Sequence, residues 1–326
     1  MRRDGVRCVV LLLCMGAVCA FAWAQKVERV SYRGWQDSYR LSNGTVEVIV
    51  VPSIARIMHY GFAGEPNTLW VNPATEGKPV KPGEWLNHGG DKAWVWPQDE
   101  WPQRIGRGWP PPSATDQVPH QVEIVNGNVV RLSSPLVAGY GVRVVREVRL
   151  EPSGTRVHIL TRLEKLRDGA DFPVAAWVVA QLPVPDLLLV RLYPGSTLSE
   201  GYKLFSLDAW KAVRRLAPDI LLPERRSEVA VKLGCDAEVL AWFKSPYLVV
   251  HRSPISDLAD FRPGDHAQIF SNSDALPYIE LEFTSPLKVL RKGESVSLEV
   301  TWELHRVPPG KQSPEGLAVF LRDVGE

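Results

Sequence analysis

Two glutamates spaced two apart in an apolar run, and a tryptophan-dense segment far upstream of them, are the parts of this sequence equipped to do chemistry. In Tyr278-Ile279-Glu280-Leu281-Glu282-Phe283 the acids alternate with Ile279, Leu281 and Phe283. Side chains on a strand repeat every second residue, so Glu280 and Glu282 share one face about 7 Å apart and the apolar residues take the other. Such a pair can accept hydroxyl hydrogen bonds from a ligand or exchange protons with it. The same spacing also describes the solvated face of an ordinary strand.

The upstream segment carries Trp85, Trp94, Trp96, Trp101 and Trp109, interleaved with Asn87, His88, Asp91, Lys92, Gln98, Asp99 and Gln103. Flat apolar faces next to donors and acceptors suit a sugar, whose C–H faces lie on aromatic rings while its hydroxyls need polar partners. Gly89 and Gly90 permit a sharp turn or a close backbone approach to a ligand. The competing reading is that Trp96-Pro97, Trp101-Pro102 and Trp109-Pro110 pin a loop onto a sheet, and that reading leaves Asn87, His88, Asp91 and Lys92 unexplained. The binding set expected here is Trp85, Asn87, Asp91, Lys92, Trp94, Trp96 and Gln98, joined by Arg56 and His59 from the run Arg56–Phe62. Arg56, Lys92 and Arg107 could also receive an acidic sugar through charge-assisted hydrogen bonds.

For a proton donor, His59, His88 and His251 compete, and His88 is preferred for its polar neighbours. A lone histidine in such a protein is more often a satisfied structural group. No His-x-His or His-x-x-x-His spacing accompanies Asp91, His88, Asp265 or His266, so no metal is expected. No cofactor is called for.

The elements that must position these groups read as strands almost throughout. Val46–Val51, Arg56–Phe62, Gln121–Val125, Val142–Leu150, Thr155–Glu164, Val174–Gln181, Glu238–Phe243, Tyr247–Arg252, Tyr278–Phe283 and Ser295–Leu304 are rich in β-branched residues and alternate with period two. Asn126-Gly127 between alternating runs marks a hairpin whose central residues need positive φ. No long stretch has a 3.6-residue period. The pattern predicts an all-β protein of fifteen or more mostly antiparallel strands. Between Asn72 and Pro119 alternation gives way to prolines and five tryptophans, which reads as an elaborated loop rather than sheet. Tyr193 to Arg226 also lacks clear alternation and is open between a short helix and a cleft-edge loop.

The first residues, Met1-Arg2-Arg3 followed by an apolar run to Ala22-Trp23-Ala24, read as a secretory signal peptide over residues 1–24, leaving 25–326 as a single domain. Of four cysteines only Cys235 lies outside that signal, so no disulfide forms within one mature chain, and its setting predicts a packed or half-exposed strand-end thiol. A balance of 38 basic and 37 acidic residues, net +1, points away from nucleic acid. With the signal removed, no membrane association is expected.

The runs Tyr39–Gly44, Arg56–Tyr60, Leu86-Asn87-His88-Gly89-Gly90-Asp91-Lys92-Ala93-Trp94, Tyr278–Phe283 and Leu290–Ser295 resemble a family of secreted bacterial proteins of unassigned function, itself similar in fold to the galactose-mutarotase-like, or aldose 1-epimerase-like, proteins. The likeness runs from about Tyr39 to Val307. It implies an antiparallel β-supersandwich, two large sheets face to face with a carbohydrate cleft on a concave face. In the wider group a histidine acid and a carboxylate base open an aldose ring without a cofactor. Carried onto this sequence, Glu280 or Glu282 is the base, with Glu282 preferred; the wider group's histidine pair does not match cleanly, so His88 as the acid rests on its neighbours alone. The expected function is carbohydrate binding with epimerase-like catalysis in a secreted or periplasmic protein. The alternative is a non-catalytic sugar-binding or envelope scaffold of the same fold, and a polysaccharide lyase or hydrolase accessory role would need Tyr278 or Tyr60 as base.

Overall fold

The structure is a computed structural model that describes residues 26–324 apart from 82, 170–171 and 206–209. The signal-peptide reading therefore lies outside the described residues. Among them, no helix is long and apolar enough to cross a membrane.

Alternation becomes sheet wherever one face can be buried. Val157–Lys165 buries every second residue, and Val142–Leu150, which pairs with it residue for residue, nearly does. The Asn126-Gly127 turn forms with φ of 52° and 77°, as the hairpin requires. The described residues make 21 strands in two sheets, with every strand pairing antiparallel. The first sheet runs Lys26–Tyr32, Trp35–Ser42, Val46–Val51, Arg56–Phe62, Asp91–Trp96, Pro173–Pro183, Tyr278–Thr284, Ala267–Ser271, Val231–Cys235, Lys203–Leu204, with Lys288–Val289 beside the start of Pro173–Pro183. The second runs Ala212–Ala217, Ile220–Glu224, Leu187–Leu192, Ala237–Lys244, Tyr247–Arg252, Ser295–Arg306, Val157–Lys165, Val142–Leu150, Val129–Ser133, Gln121–Val125. Their inner faces make one continuous apolar core that includes Tyr60, Val95, Ile279, Leu281, Phe283 and Trp302.

Three expectations change. Asp91–Trp96, read as part of a loop, is a central strand between Arg56–Phe62 and Pro173–Pro183. All six of its residues are buried because both faces are covered, so the polar-out half of the alternation is missing. Gly89 and Gly90, just before it, do bring backbones close, but the neighbour is protein: added Cβ atoms would lie 2.2 Å from the Trp70 carbonyl oxygen and 2.4 Å from that of Ile57. Tyr193 to Arg226 contributes strands to both sheets, Lys203–Leu204 to the first and Ala212–Ala217 and Ile220–Glu224 to the second. A ten-residue helix, Pro314–Asp323, was not signalled; Ser313 caps it, and Leu317, Ala318 and Leu321 pack on the outer face of the second sheet. Cys235 is fully buried, and burial raises its thiol pKa.

Asp91 was expected to bind substrate. It points instead into the core, where its carboxylate pairs with Arg146 of the second sheet, both side chains being 2% exposed. Since strand residues alternate, Asp91 and Lys92 face opposite ways. Removing one partner of a buried pair strands the other charge, at a cost of about 3–5 kcal/mol. Asp91→Ala is therefore expected to lower stability by that amount in urea denaturation, and Asp91→Leu with Arg146→Met to recover most of it. A loss below about 1 kcal/mol, the range of an exposed pair, would contradict the placement.

Candidate functional site

The outer face of the first sheet carries an unusual set of side chains for a sheet surface. Register alone aligns Lys92, Val179, Glu282, Gln268, Gly234 and Lys203 in one row across six strands. The next row holds Gln181, Glu280, Phe270 and Lys232, and on the other side Trp94 lies opposite Trp177. Glu280 and Glu282 thus share the outer face while Ile279, Leu281 and Phe283 join the core, as their spacing predicts.

One arrangement recurs three times: an indole N–H and a cation meet on one buried carboxylate. Trp177 Nε1 and Lys232 Nζ donate to Glu282 Oε2 at 2.8 and 2.7 Å. Trp94 Nε1 and Arg56 Nη2 donate to Asp116 Oδ2 at 2.9 and 2.8 Å. Trp96 Nε1 and Lys203 Nζ donate to the two oxygens of Asp265 at 3.0 and 2.6 Å. The three rings also support one another, with Trp94 and Trp96 each edge-on to Trp177 at 5.0 Å. A fourth carboxylate, Glu280, accepts from Lys92 Nζ at 3.1 Å and Gln181 Nε2 at 2.8 Å.

Burial governs the electrostatics. Glu282 is fully buried, and desolvation raises its pKa while Lys232 opposes the shift and Glu280 adds to it. Its Oε1 is buried without a hydrogen-bond partner, as is Oε1 of Gln268 in the facing position. Burial pulls Lys92 and Arg56 below their ordinary values, against the attraction of Glu280 and Asp116 respectively.

A pocket of about 580 Å³ opens beside this floor. Trp96, Phe205 and Phe270 supply its aromatic wall, while Gln98, Lys203, Lys232, Arg262, Asp99 and Asp265 supply polar groups. Phe205 is 39% exposed, and Trp109, 50% exposed, stands against Trp85, Trp94 and Trp101.

The structure brings Glu280, Glu282, Lys92, Trp94, Trp96 and Gln98 to this face, with Arg56 holding Asp116. Trp94 differs from expectation in being packed, 3% exposed, rather than offered to a ligand. Trp85 is half-buried, edge-on to Trp109 at 4.9 Å. Asn87 fixes its own loop, its carbonyl accepting from Asn72 Nδ2 and its Oδ1 from the Gly89 amide. His59 stands apart, half-buried and edge-on to Tyr32. His88 is fully buried, with Nδ1 3.1 Å from the Thr75 carbonyl and its ring edge-on to Trp35. Among the described residues no histidine hydrogen-bonds or pairs with Glu280 or Glu282; the cations beside them are lysines.

Sequence reasoning missed Trp177, Gln181, Asp116, Lys203, Lys232, Arg262 and Asp265 as members of this region, and left Phe205, in the possible cleft-edge segment, open between a lid and a packing role. A usable signal existed in two cases, because Trp177 and Gln181 sit at even spacing on an otherwise small and apolar strand. Asp116 lies in the tryptophan-rich segment and Lys203 in the one left open as a cleft edge, while Lys232, Arg262 and Asp265 come from distant segments with no motif of their own.

No protein-family model and no curated protein matches the chain. Solved structures do. A candidate mutarotase from Salmonella typhimurium superposes with a TM-score of 0.56 at 12% identity, covering 86% of this chain and 94% of that one. A protein from Synechocystis gives 0.54 at 11% identity over 86% and 99%. A candidate aldose 1-epimerase from Escherichia coli gives 0.49 at 14% identity over 83% and 99%. The chain has the galactose-mutarotase-like fold, a two-sheet antiparallel β-sandwich.

Desolvation pushes the His88 pKa from 6.5 to about 4, with Arg56 adding to the shift. A folded-state value below the unfolded one means the neutral ring contributes stability in full above pH 6.5, lost as pH falls from there toward 4. His88→Gln is expected to flatten the fall in unfolding free energy across that window by up to about 3 kcal/mol, read from denaturation at a series of pH values. An unchanged slope would place His88 in water.

Proposed function

We propose that this protein binds carbohydrate on the outer face of its first sheet, in the pocket walled by Trp96, Phe205 and Phe270. The observation that carries this reading is the junction of exposed aromatic surface with fixed donors and acceptors: Phe205 and the edge of Trp96 border Gln98, Lys203 and Asp265 in one concavity. A sugar needs both surfaces at once. The fold supports it, since the Salmonella neighbour is named as a mutarotase candidate. Export is part of the proposal, and the protein recovered from its host is expected to begin at Gln25; recovery with Met1 retained would remove that part.

The central test is a glycan and monosaccharide binding screen with the chain and with Phe205→Ala. Because Phe205 is well exposed, its loss should leave the fold intact while weakening binding about tenfold, the effect of losing an aromatic contact worth about 1.4 kcal/mol. Equal affinity of the two proteins would move the site elsewhere, and an empty screen would make the tryptophan-rich face purely structural.

Epimerase-like catalysis is a second reading, favoured by Glu282, whose unpartnered Oε1 and burial-raised pKa suit a group that exchanges protons. Ring opening needs a proton delivered to the ring oxygen and one taken from the anomeric hydroxyl. In this reading Glu282 and Glu280 exchange the protons, supported by Lys232 in hydrogen-bond reach of Glu282; the enclosure of His88 argues against it as the acid. The complete burial of Glu282 supports binding without turnover as the better reading. Exchange spectroscopy of the anomers of a bound aldose separates the two, since only turnover gives a rate above the uncatalysed one that Glu282→Gln removes.

A further inference from the structure

Resting on the carbohydrate reading of this pocket, we propose that its ligand is an anionic sugar, one bearing a carboxylate, sulfate or phosphate group that seats against Lys203 and Arg262. The argument is the layering of charge. Two of the three cationic side chains at the pocket reach solvent, Lys203 being 33% and Arg262 41% exposed, while Lys232, held on Glu282, is 18% exposed. The carboxylates beneath them do not, with Asp265 at 4% and Glu282 at 0%. A ligand entering from solvent therefore meets ammonium and guanidinium groups first. The exception is Asp99, 68% exposed at the rim, which holds Arg262 through a 3.2 Å contact of the weak, solvent-screened kind.

The donor inventory agrees with the layering. Lys203 directs one N–H to Asp265, at 2.6 Å, and its ammonium has two more. The guanidinium of Arg262 contacts Asp99 through Nη1 alone, and its planar fork suits a bidentate oxyanion. Lys203 also sits 4.4 Å from the centroid of Phe205, so the positive charge and the aromatic platform are adjacent. A sugar ring on Phe205 would bring a ring substituent within reach of that ammonium. A neutral sugar uses the same platform and donors but gains no ion pair from the cations.

The test compares charged oligosaccharides with neutral partners of the same backbone: oligogalacturonate with its methyl ester, and heparin fragments with their desulfated forms, with inorganic phosphate and sulfate alone as controls. Titration of the full chain at low salt is expected to show about tenfold tighter binding of the charged member of at least one pair, a gap that closes as salt rises. Lys203→Gln and Arg262→Gln should each weaken binding of the charged member more than that of the neutral one, and so reduce that preference. Which charged member wins distinguishes carboxylate from sulfate, and binding of the inorganic ions alone would assign the site to a free oxyanion and overturn the sugar. Neutral members binding as well as charged ones would overturn this inference and leave the carbohydrate reading standing. No binding in either class would remove both.

Discussion

Three carboxylates that cannot reach solvent freely, Asp116, Asp265 and Glu282, set the terms for the outer face of the first sheet. An ionised carboxylate out of water requires a counter-charge and hydrogen-bond donors. Each has an indole N–H and a cation. The consequence runs outward, because a tryptophan whose N–H is committed cannot rotate, and a lysine held at its ammonium cannot wander. The floor is thereby fixed before any ligand arrives, which lowers the ordering cost that binding would otherwise incur. Buried pairs of this kind contribute little net stability over apolar replacements, so their physical consequence is orientation more than strength.

The inner side of the same sheet obeys a parallel constraint. Asp91 and Lys92 are consecutive, yet one pairs with Arg146 inside the sandwich and the other with Glu280 on the outer face. The strand Asp91–Trp96 thus links the core to the candidate site, with Ala93 and Val95 packing inward as Trp94 and Trp96 face outward. A shift of one residue in its register would expose Asp91 and bury Lys92 in the core, so both ion pairs oppose slippage.

What the sequence made legible follows from this. Period-two alternation located many of the strands, and it put Glu280 and Glu282 on one face because their neighbours Ile279, Leu281 and Phe283 could only belong inside. It failed at Asp91–Trp96, where a covered outer face erases the alternation, and at Pro314–Asp323, a helix of under three turns. The site's composition was half visible. Lys92, Trp94 and Trp96 stood out by type, but Lys232 lies 50 residues and Trp177 105 residues from the Glu282 they both contact. Such pairings are fixed by sheet order, which strand propensities do not encode. His88 reads differently along the chain and in space: it was chosen for polar neighbours in sequence, and in the fold its ring lies edge-on to Trp35 with Nδ1 at the Thr75 carbonyl and the Arg56 charge close enough to lower its pKa.

The most direct test of the account is indole N–H spectroscopy of the chain labelled at tryptophan, titrated with an oligosaccharide ligand. The account predicts that the signals of Trp96 and Trp177, assigned through Phe substitutions, shift in step with saturation, while Trp302, buried between the sheets, stays in place. Shifts confined to tryptophans away from Glu282 and Asp265 would contradict it, because the floor described here would then not be where the ligand sits.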